Sequence, residues 1–254
     1  MTAPVLIEQQ DATLIVSINR PRQRNAVNRS VSLAIAEALD RLDQQPELRV
    51  GILTGHGDTF CAGMDLRAFL DGERPELENR GFGGLTEALP RKPLIAAVEG
   101  YALAGGCELA LACDLIVAAE NAWFGLPEVT RGLVAGSGGL VRLPRRIPRA
   151  IALEYALTGE RMDASTAHRW GLVNRLTPAG GALQGALVLA RLITANAPLA
   201  VAMTKRIMCE SPGWQEEEIW LRQRPLVESV LASEDAQEGA RAFAEKRAAV
   251  WRGK

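Results

Sequence analysis

The residues KPLIAAVEGYALAGGCELALACDLIVAAE, positions 92–120, carry three structural elements in a row. PLIAAVEG (93–100) is an apolar run bounded by proline and glycine and reads as a strand. Residues 105–112 read as a short helix, and DLIVAAE (114–120) as a second strand. Both strands are apolar along nearly their whole length instead of alternating, the pattern of a sheet covered on both faces. Strand, helix, strand in that form predicts an α/β architecture.

The same alternation extends toward the N-terminus. ATLIVSIN (12–19) is rich in β-branched residues and ends at the turn-forming RPRQRN. Asn28 is placed to cap a helix whose apolar residues Val31, Ile35, Ala38, Leu39 and Leu42 recur at helical spacing, with Pro46 beyond its end. RVGILTG (49–55) then returns to strand character. Residues 67–90 combine charges, the glycines of GFGG and little periodicity, and are expected to form a mobile surface segment of the kind that often roofs a site. Beyond about residue 145 strand signals fade, and helices are expected near 149–158, 163–170, 181–195, 198–209, 215–231 and 234–250.

Glu108 poses the chemical question. A lone carboxylate inside a run of small and apolar residues is costly to desolvate, so it needs a partner, a proton, a water-lined pocket or a catalytic task. Glu128, in WFGLPEVTRG, is a possible partner, separated by enough chain for a helix, a strand and a turn. Two carboxylates brought together push their pKa values apart, so that one activates a water while the other delivers a proton. The alternative for both is a buried carboxylate satisfied by hydrogen bonds. FCAGMDL (60–66) and ALAGGCE (102–108) each place glycine near a strand end or helix start, where free N–H groups face an incoming ligand. Two such groups converging on one oxygen make an oxyanion hole.

Other chemistries find less support. The chain has 254 residues, with 29 basic and 30 acidic side chains and a formal net charge of −1, so the overall balance favours neither nucleic acid nor an anionic membrane. Cys61, Cys107, Cys113 and Cys209 form no CxxC pair, and the two histidines, His56 and His168, complete no metal-ligand spacing, so no metal and no cofactor is expected. AGSGG (135–139) lacks the first glycine of the serine-nucleophile elbow, and no P-loop or dinucleotide fingerprint is present. MTAPVLIEQQ has neither a basic leader nor an apolar core, so a cytoplasmic protein is expected.

Taken together, NRPRQRNAVN (19–28), FCAGMDL (60–66), KPLIAAVEGYALAGGCELALACDLIVAAENAWFGLPEV (92–129), TGERMDASTAHRWGLVNRL (158–176) and SEDAQEGARAFAEKR (233–247) resemble the enoyl-CoA hydratase/isomerase, or crotonase, family over nearly the whole chain. The resemblance implies a spiral of ββα units over residues 1–195 and a helical oligomerisation region over 196–254, assembled as trimers or paired trimers. It implies an acyl-CoA thioester substrate, with CoA entering as part of that substrate. The thioester oxygen would be held by the backbone amides of Met64 and Gly105, and water addition to a 2-enoyl-CoA would be carried by Glu108 and Glu128. Arg24 and Ala26 would lie near the CoA phosphates and pantetheine, with Ala62, Asp65, Leu66 and Arg67 bordering nucleotide and thioester. Phe243 and Lys246 would reach CoA of a neighbouring subunit. The chain departs from the family pattern at Met64, Ala104, Trp123 and Ala135. Within the fold an isomerase, a carnitinyl-CoA-type dehydratase or an acyl-CoA hydrolase is also open, since fold does not fix reaction. A non-catalytic CoA- or RNA-binding module and a serine hydrolase built on Ser137 are the readings from other classes.

Overall fold

The apolar runs lie side by side in a six-stranded sheet. A computed structural model describes residues 3–254; Met1 and Thr2, which begin both the N-terminal stretch and the expected 1–195 core, lie outside the described residues. The elements run β1 (Val5–Gln10), β2 (Thr13–Ile18), α1 (Arg29–Gln44), β3 (Val50–Gly55), α2 (Leu66–Leu70), β4 (Glu76–Leu77), β5 (Gly81–Phe82), β6 (Leu94–Val98), β7 (Tyr101–Leu103), α3 (Gly105–Ala112), β8 (Leu115–Ala119) and β9 (Trp123–Gly125). There follow α4 (Gly139–Arg146), α5 (Arg149–Thr158), β10 (Met162–Asp163), α6 (Ala164–Arg169), β11 (Arg175–Thr177), α7 (Ala182–Thr194), α8 (Pro198–Glu210), α9 (Ile219–Leu231) and α10 (Glu234–Ala244). The six-stranded sheet has the order β1-β2-β3-β6-β8-β11; β1 pairs antiparallel with β2, and every other pairing in it is parallel.

Successive strand residues point to opposite faces, and each face finds its own cover. Ile15, Val50, Ile52, Ile95 and Val117 pack with Ala182, Ala186 and Ala190 of α7. Their neighbours Leu14, Val16, Leu53, Ala96, Val98 and Ile116 pack inward with α1 and α3. Val31, Ile35, Leu39 and Leu42 of α1 are buried, and Asn28 caps the helix by accepting from the Val31 amide at 3.2 Å. Each such aliphatic side chain contributes about 1.5–3 kcal/mol of burial, so the helical stripe decides where α1 lies.

A second, narrow layer has three short strands. β7 pairs parallel with β9, and β9 antiparallel with β10. The chain around Cys61 extends this layer through a bridge to Ala102, and the Val27–Met64 bridge extends it once more. Each turn of the chain thus lays one strand in the large sheet and a few residues in the small layer, which is the expected spiral.

Residues 67–90 depart from the expected mobile segment. Leu66–Leu70 is helical, Glu76–Leu77 and Gly81–Phe82 form a small hairpin, and Phe82, Leu85 and Thr86 are buried. The glycines here serve close packing: a Cβ on Gly83 would lie 2.6 Å from Leu109 Cδ2, and one on Gly84 2.4 Å from the Ser32 carbonyl oxygen of α1.

The C-terminal helices are tied to the core. Lys205 of α8 pairs with Asp114 at 2.7 Å and donates to the Pro90 and Lys92 carbonyls, while Asp114 also accepts from the Leu94 amide. Asp114 therefore ties α8 to β6 across the fold. Among the described residues no single helix is long and apolar enough to cross a membrane.

Candidate active site

Two loops, 20–28 and 55–65, meet at the end of the small layer. Buried Asn25, in the left-handed region at φ 55°, donates from Nδ2 to the His56 and Thr59 carbonyls and accepts from the Arg20 amide. Arg20 then spans the Ala26 carbonyl (2.6 Å) and the Asp65 carboxylate (2.7 Å). The Ala62 amide donates to the Arg24 carbonyl, and Val27 pairs with the Gly63 carbonyl and the Asp65 amide. These bonds bring Arg24, Ala26, Ala62, Met64, Asp65, Leu66 and Arg67 into one neighbourhood. Arg24, Leu66 and Arg67 are exposed. Burial pushes the Asp65 carboxyl up, but Arg20 and the Ala68 and Arg67 amides outweigh it and hold the group below its ordinary range.

Because the Val27 pairing uses the Gly63 carbonyl and the Asp65 amide, strand alternation turns the intervening Met64 amide the other way, toward residues 103–105. Gly63, at φ 101°, sits hard against that turn: a Cβ there would be 3.1 Å from the Leu103 carbonyl oxygen and 3.2 Å from the Gly105 nitrogen. Gly105 is the first residue of α3, so its amide has no acceptor within the helix. Among the described residues neither the Met64 nor the Gly105 N–H donates to the main chain. Both glycines of α3 are required by close approach, since a Cβ on Gly105 would lie 2.6 Å from the Phe82 ring and one on Gly106 2.1 Å from the Cys61 carbonyl oxygen. Ala104, which turns the chain into α3, is held at φ 50°, ψ −128°.

Glu108 is on the first turn of α3, 3% exposed, in a helix whose eight residues are all buried. Its Oε1 accepts from the Ser137 amide (2.7 Å) and the Gly139 amide (2.9 Å) at the start of α4. The AGSGG run therefore serves as a donor turn for a carboxylate. Burial pushes the Glu108 carboxyl up, opposed by those amides and by the charge of Arg142. Glu128 lies on the 3-10 turn Pro127–Arg131 that follows β9. Burial pushes it up as well, the nearby charge of Glu108 pushes it further, and its Oε2 is buried without a partner. Both carboxyls are raised, and they differ in their partners: Glu108 has two amide donors and a nearby cation, whereas Glu128 Oε2 has none. Next to them the Cys107 thiol is pushed up to about 12 by burial, which keeps it protonated and inert.

An aliphatic groove of about 430 Å³, lined by Leu126, Val134, Leu140, Leu153 and Leu157, opens beside Glu128. The structure does not bring Phe243 and Lys246 to this neighbourhood through any hydrogen bond or ion pair among the described residues. Phe243 projects from α10 at 88% exposure, and Lys246 is exposed just beyond it. Among the described residues no group of three or more His, Cys, Asp or Glu side chains is arranged to hold a metal ion. Arg20, Asn25 and the Ser137–Gly139 amides are not singled out by the sequence, because Asp65, the His56 and Thr59 carbonyls and Glu108, which they engage, are remote in the chain.

Known proteins resemble this chain over its whole length. The family model described as enoyl-CoA hydratase/isomerase matches residues 8–254. The chain is 45% identical to a carnitinyl-CoA dehydratase of Salmonella typhi over 262 aligned positions, covering all of both chains. It is 58% identical to an enoyl-CoA hydratase of Mycobacterium marinum whose crystal structure superimposes with a TM-score of 0.98, again over all of both chains. A carnitinyl-CoA hydratase structure from Mycobacterium avium is 45% identical, with complete coverage and a TM-score of 0.80.

Proposed function

The chain belongs to the enoyl-CoA hydratase/isomerase family, and from that premise we propose that it is an enoyl-CoA hydratase, adding water reversibly across the 2,3 double bond of a 2-enoyl-CoA to give a 3-hydroxyacyl-CoA. The observation that carries this reading is the pair of carboxylates, Glu108 and Glu128, both raised by burial and unequal in their hydrogen bonding. Ionised Glu108 orients a water and takes one of its protons as the oxygen bonds to C3. Electrons of the double bond move toward the thioester, and Glu128 supplies the proton that ends on C2. The two side chains titrate as a pair, and their proton returns between turnovers.

Negative charge gathering on the thioester oxygen is met by the Met64 and Gly105 amides, reinforced by the positive end of the α3 dipole. Removal of one such donor costs about 3–4 kcal/mol of transition-state stabilisation elsewhere. CoA lies along Arg24, Ala26, Ala62, Leu66 and Arg67, where exposed cations face its phosphates. Asp65 serves by shaping the backbone that presents Met64, since Arg20 and the start of α2 already engage its carboxylate. The proposed assembly is a cytoplasmic homotrimer or pair of trimers, supported by the exposed Trp220, Leu221, Leu231 and Phe243 of the C-terminal helices. In it Phe243 and Lys246 approach CoA bound by a neighbour.

The carnitinyl-CoA dehydratase relatives favour a second reading, elimination of water from a substituted 3-hydroxyacyl-CoA. That is the same chemistry run in reverse with a different acyl end. Glu108→Gln and Glu128→Gln, made separately, should each lower crotonyl-CoA hydration by about 10²–10⁴-fold, followed as loss of the conjugated double bond. Hydration at near wild-type rate in both would overturn the assignment. A series of enoyl-CoA thioesters of increasing length, with carnitinyl-CoA beside them, decides between the two readings.

A further inference from the structure

Arg142 stands on the first turn of α4, and nothing in the reaction proposed above uses it. Its Nη2 donates to the Thr86 carbonyl at 2.6 Å and its Nη1 to the Ser137 carbonyl at 3.3 Å. Gly138, between the two residues whose amides clamp Glu108, has φ 98°, and a Cβ there would lie 2.0 Å from Arg142 Nη1. The guanidinium thus fills the space that a side chain at 138 would need. On its other arm, Thr86 donates its amide to the Phe82 carbonyl, and the Phe82 ring lies against Gly105. No carboxylate lies within ion-pair distance of Arg142 among the described residues.

We infer that Arg142 is a positioning residue: one planar cation holds the Ser137–Gly139 turn in the shape that clamps Glu108 and ties that turn to the segment backing the Gly105 amide. A guanidinium suits this because its rigid fork reaches two carbonyls in different directions, which an ammonium group on a flexible stem does not reproduce. The charge acts as well as the shape. The charged groups facing Glu108 are Glu128 from the 3-10 turn and Arg142 from α4, while Arg145 and Arg146 of α4 in turn face Arg142. Arg142 thereby favours the ionised form of Glu108.

The inference rests on the hydratase reading, and its test separates the two. Arg142→Gln should lower kcat by up to about 100-fold, the loss that a displacement of about 1 Å brings at a reacting group, with KM changed little. The acidic limb of its kcat/KM profile should move to higher pH, because Glu108 loses a neighbouring cation. Arg142→Lys keeps the charge but not the fork, so its acidic limb should return toward wild type while kcat stays low. Hydrogen exchange of the peptide containing Ser137 and Gly139 should be faster in both variants. Wild-type kcat and limb in Arg142→Gln would overturn the inference, as would a fall in kcat with the limb unmoved and exchange unchanged. If the glutamine variant fails to fold, kcat and exchange in the lysine variant decide, wild-type values again overturning it. Full activity in both Glu108→Gln and Glu128→Gln would instead sink the hydratase reading itself.

Discussion

Replacing Ala104 by glycine should stabilise this protein, the reverse of what such a change usually does. Ala104 has φ 50° and ψ −128°, the values of the first central position of a type II′ turn, where glycine dominates. The peptide cannot relax, because the Ala104 amide donates to the Gly125 carbonyl at 2.9 Å and its carbonyl accepts from the Glu108 amide at 3.1 Å. A non-glycine residue held there stores about 1–3 kcal/mol. Glycine removes that strain and adds about 0.4–1 kcal/mol of unfolded-state entropy to be lost on folding. The net gain is about 1 kcal/mol, or about 2–4 °C in Tm for a chain of this length. Thermal unfolding followed by circular dichroism measures it, with kcat on crotonyl-CoA recorded in parallel and expected to change little, since the same two hydrogen bonds still aim the Gly105 amide. A Tm lower by 2–4 °C, as for glycine placed in ordinary helical geometry, would refute the reasoning and show that Ala104 stores no strain.

Gly106→Ala should do the opposite. Its new Cβ would meet the Cys61 carbonyl oxygen at 2.1 Å, so the backbone leading to Met64 has to move. A loss of about 3 kcal/mol is expected in urea titration, with hydration lost along with it, while Gly213→Ala, which meets nothing within 4 Å, should stay within about 0.5 kcal/mol. Stability should also carry a pH signature of the two raised glutamates. Each binds its proton more tightly folded than unfolded, so its contribution is fully favourable below the ordinary carboxylate pKa and is lost as pH rises through the raised value. A Glu108→Gln, Glu128→Gln double variant should therefore be more stable than wild type at neutral pH, with the difference vanishing in acid. A difference that does not vary with pH would contradict the shifts.

The elements that were legible in the sequence are those whose evidence is local. α1 carries its cap and its apolar stripe within one stretch, and α5, α7 and α8 match the expected helices almost residue for residue. β7 and β9 have three residues each, too few for any periodicity, and their identity comes from partners far along the chain. In the segment 67–90 glycine and charge signal mobility locally, whereas in the fold Gly83 and Gly84 are small so that Leu109 and α1 can approach. In the candidate site, Glu108 was visible as a charge out of place. The Met64 and Gly105 amides were reached through family resemblance, since residue type says nothing about which main-chain N–H groups lack an acceptor. Arg20, Asn25 and Arg142 read as ordinary loop or helix polar residues; their value comes from carbonyls and a carboxylate in distant turns.

Every amino acid except proline brings the same main-chain nitrogen and hydrogen to position 64. Mutation there alters a side chain that packs against the core but leaves the N–H itself in place. In the proposed oxyanion hole the donor at position 64 is therefore a property of the path of the chain, set by the Val27 pairing on either side of it, and not of any letter of the code.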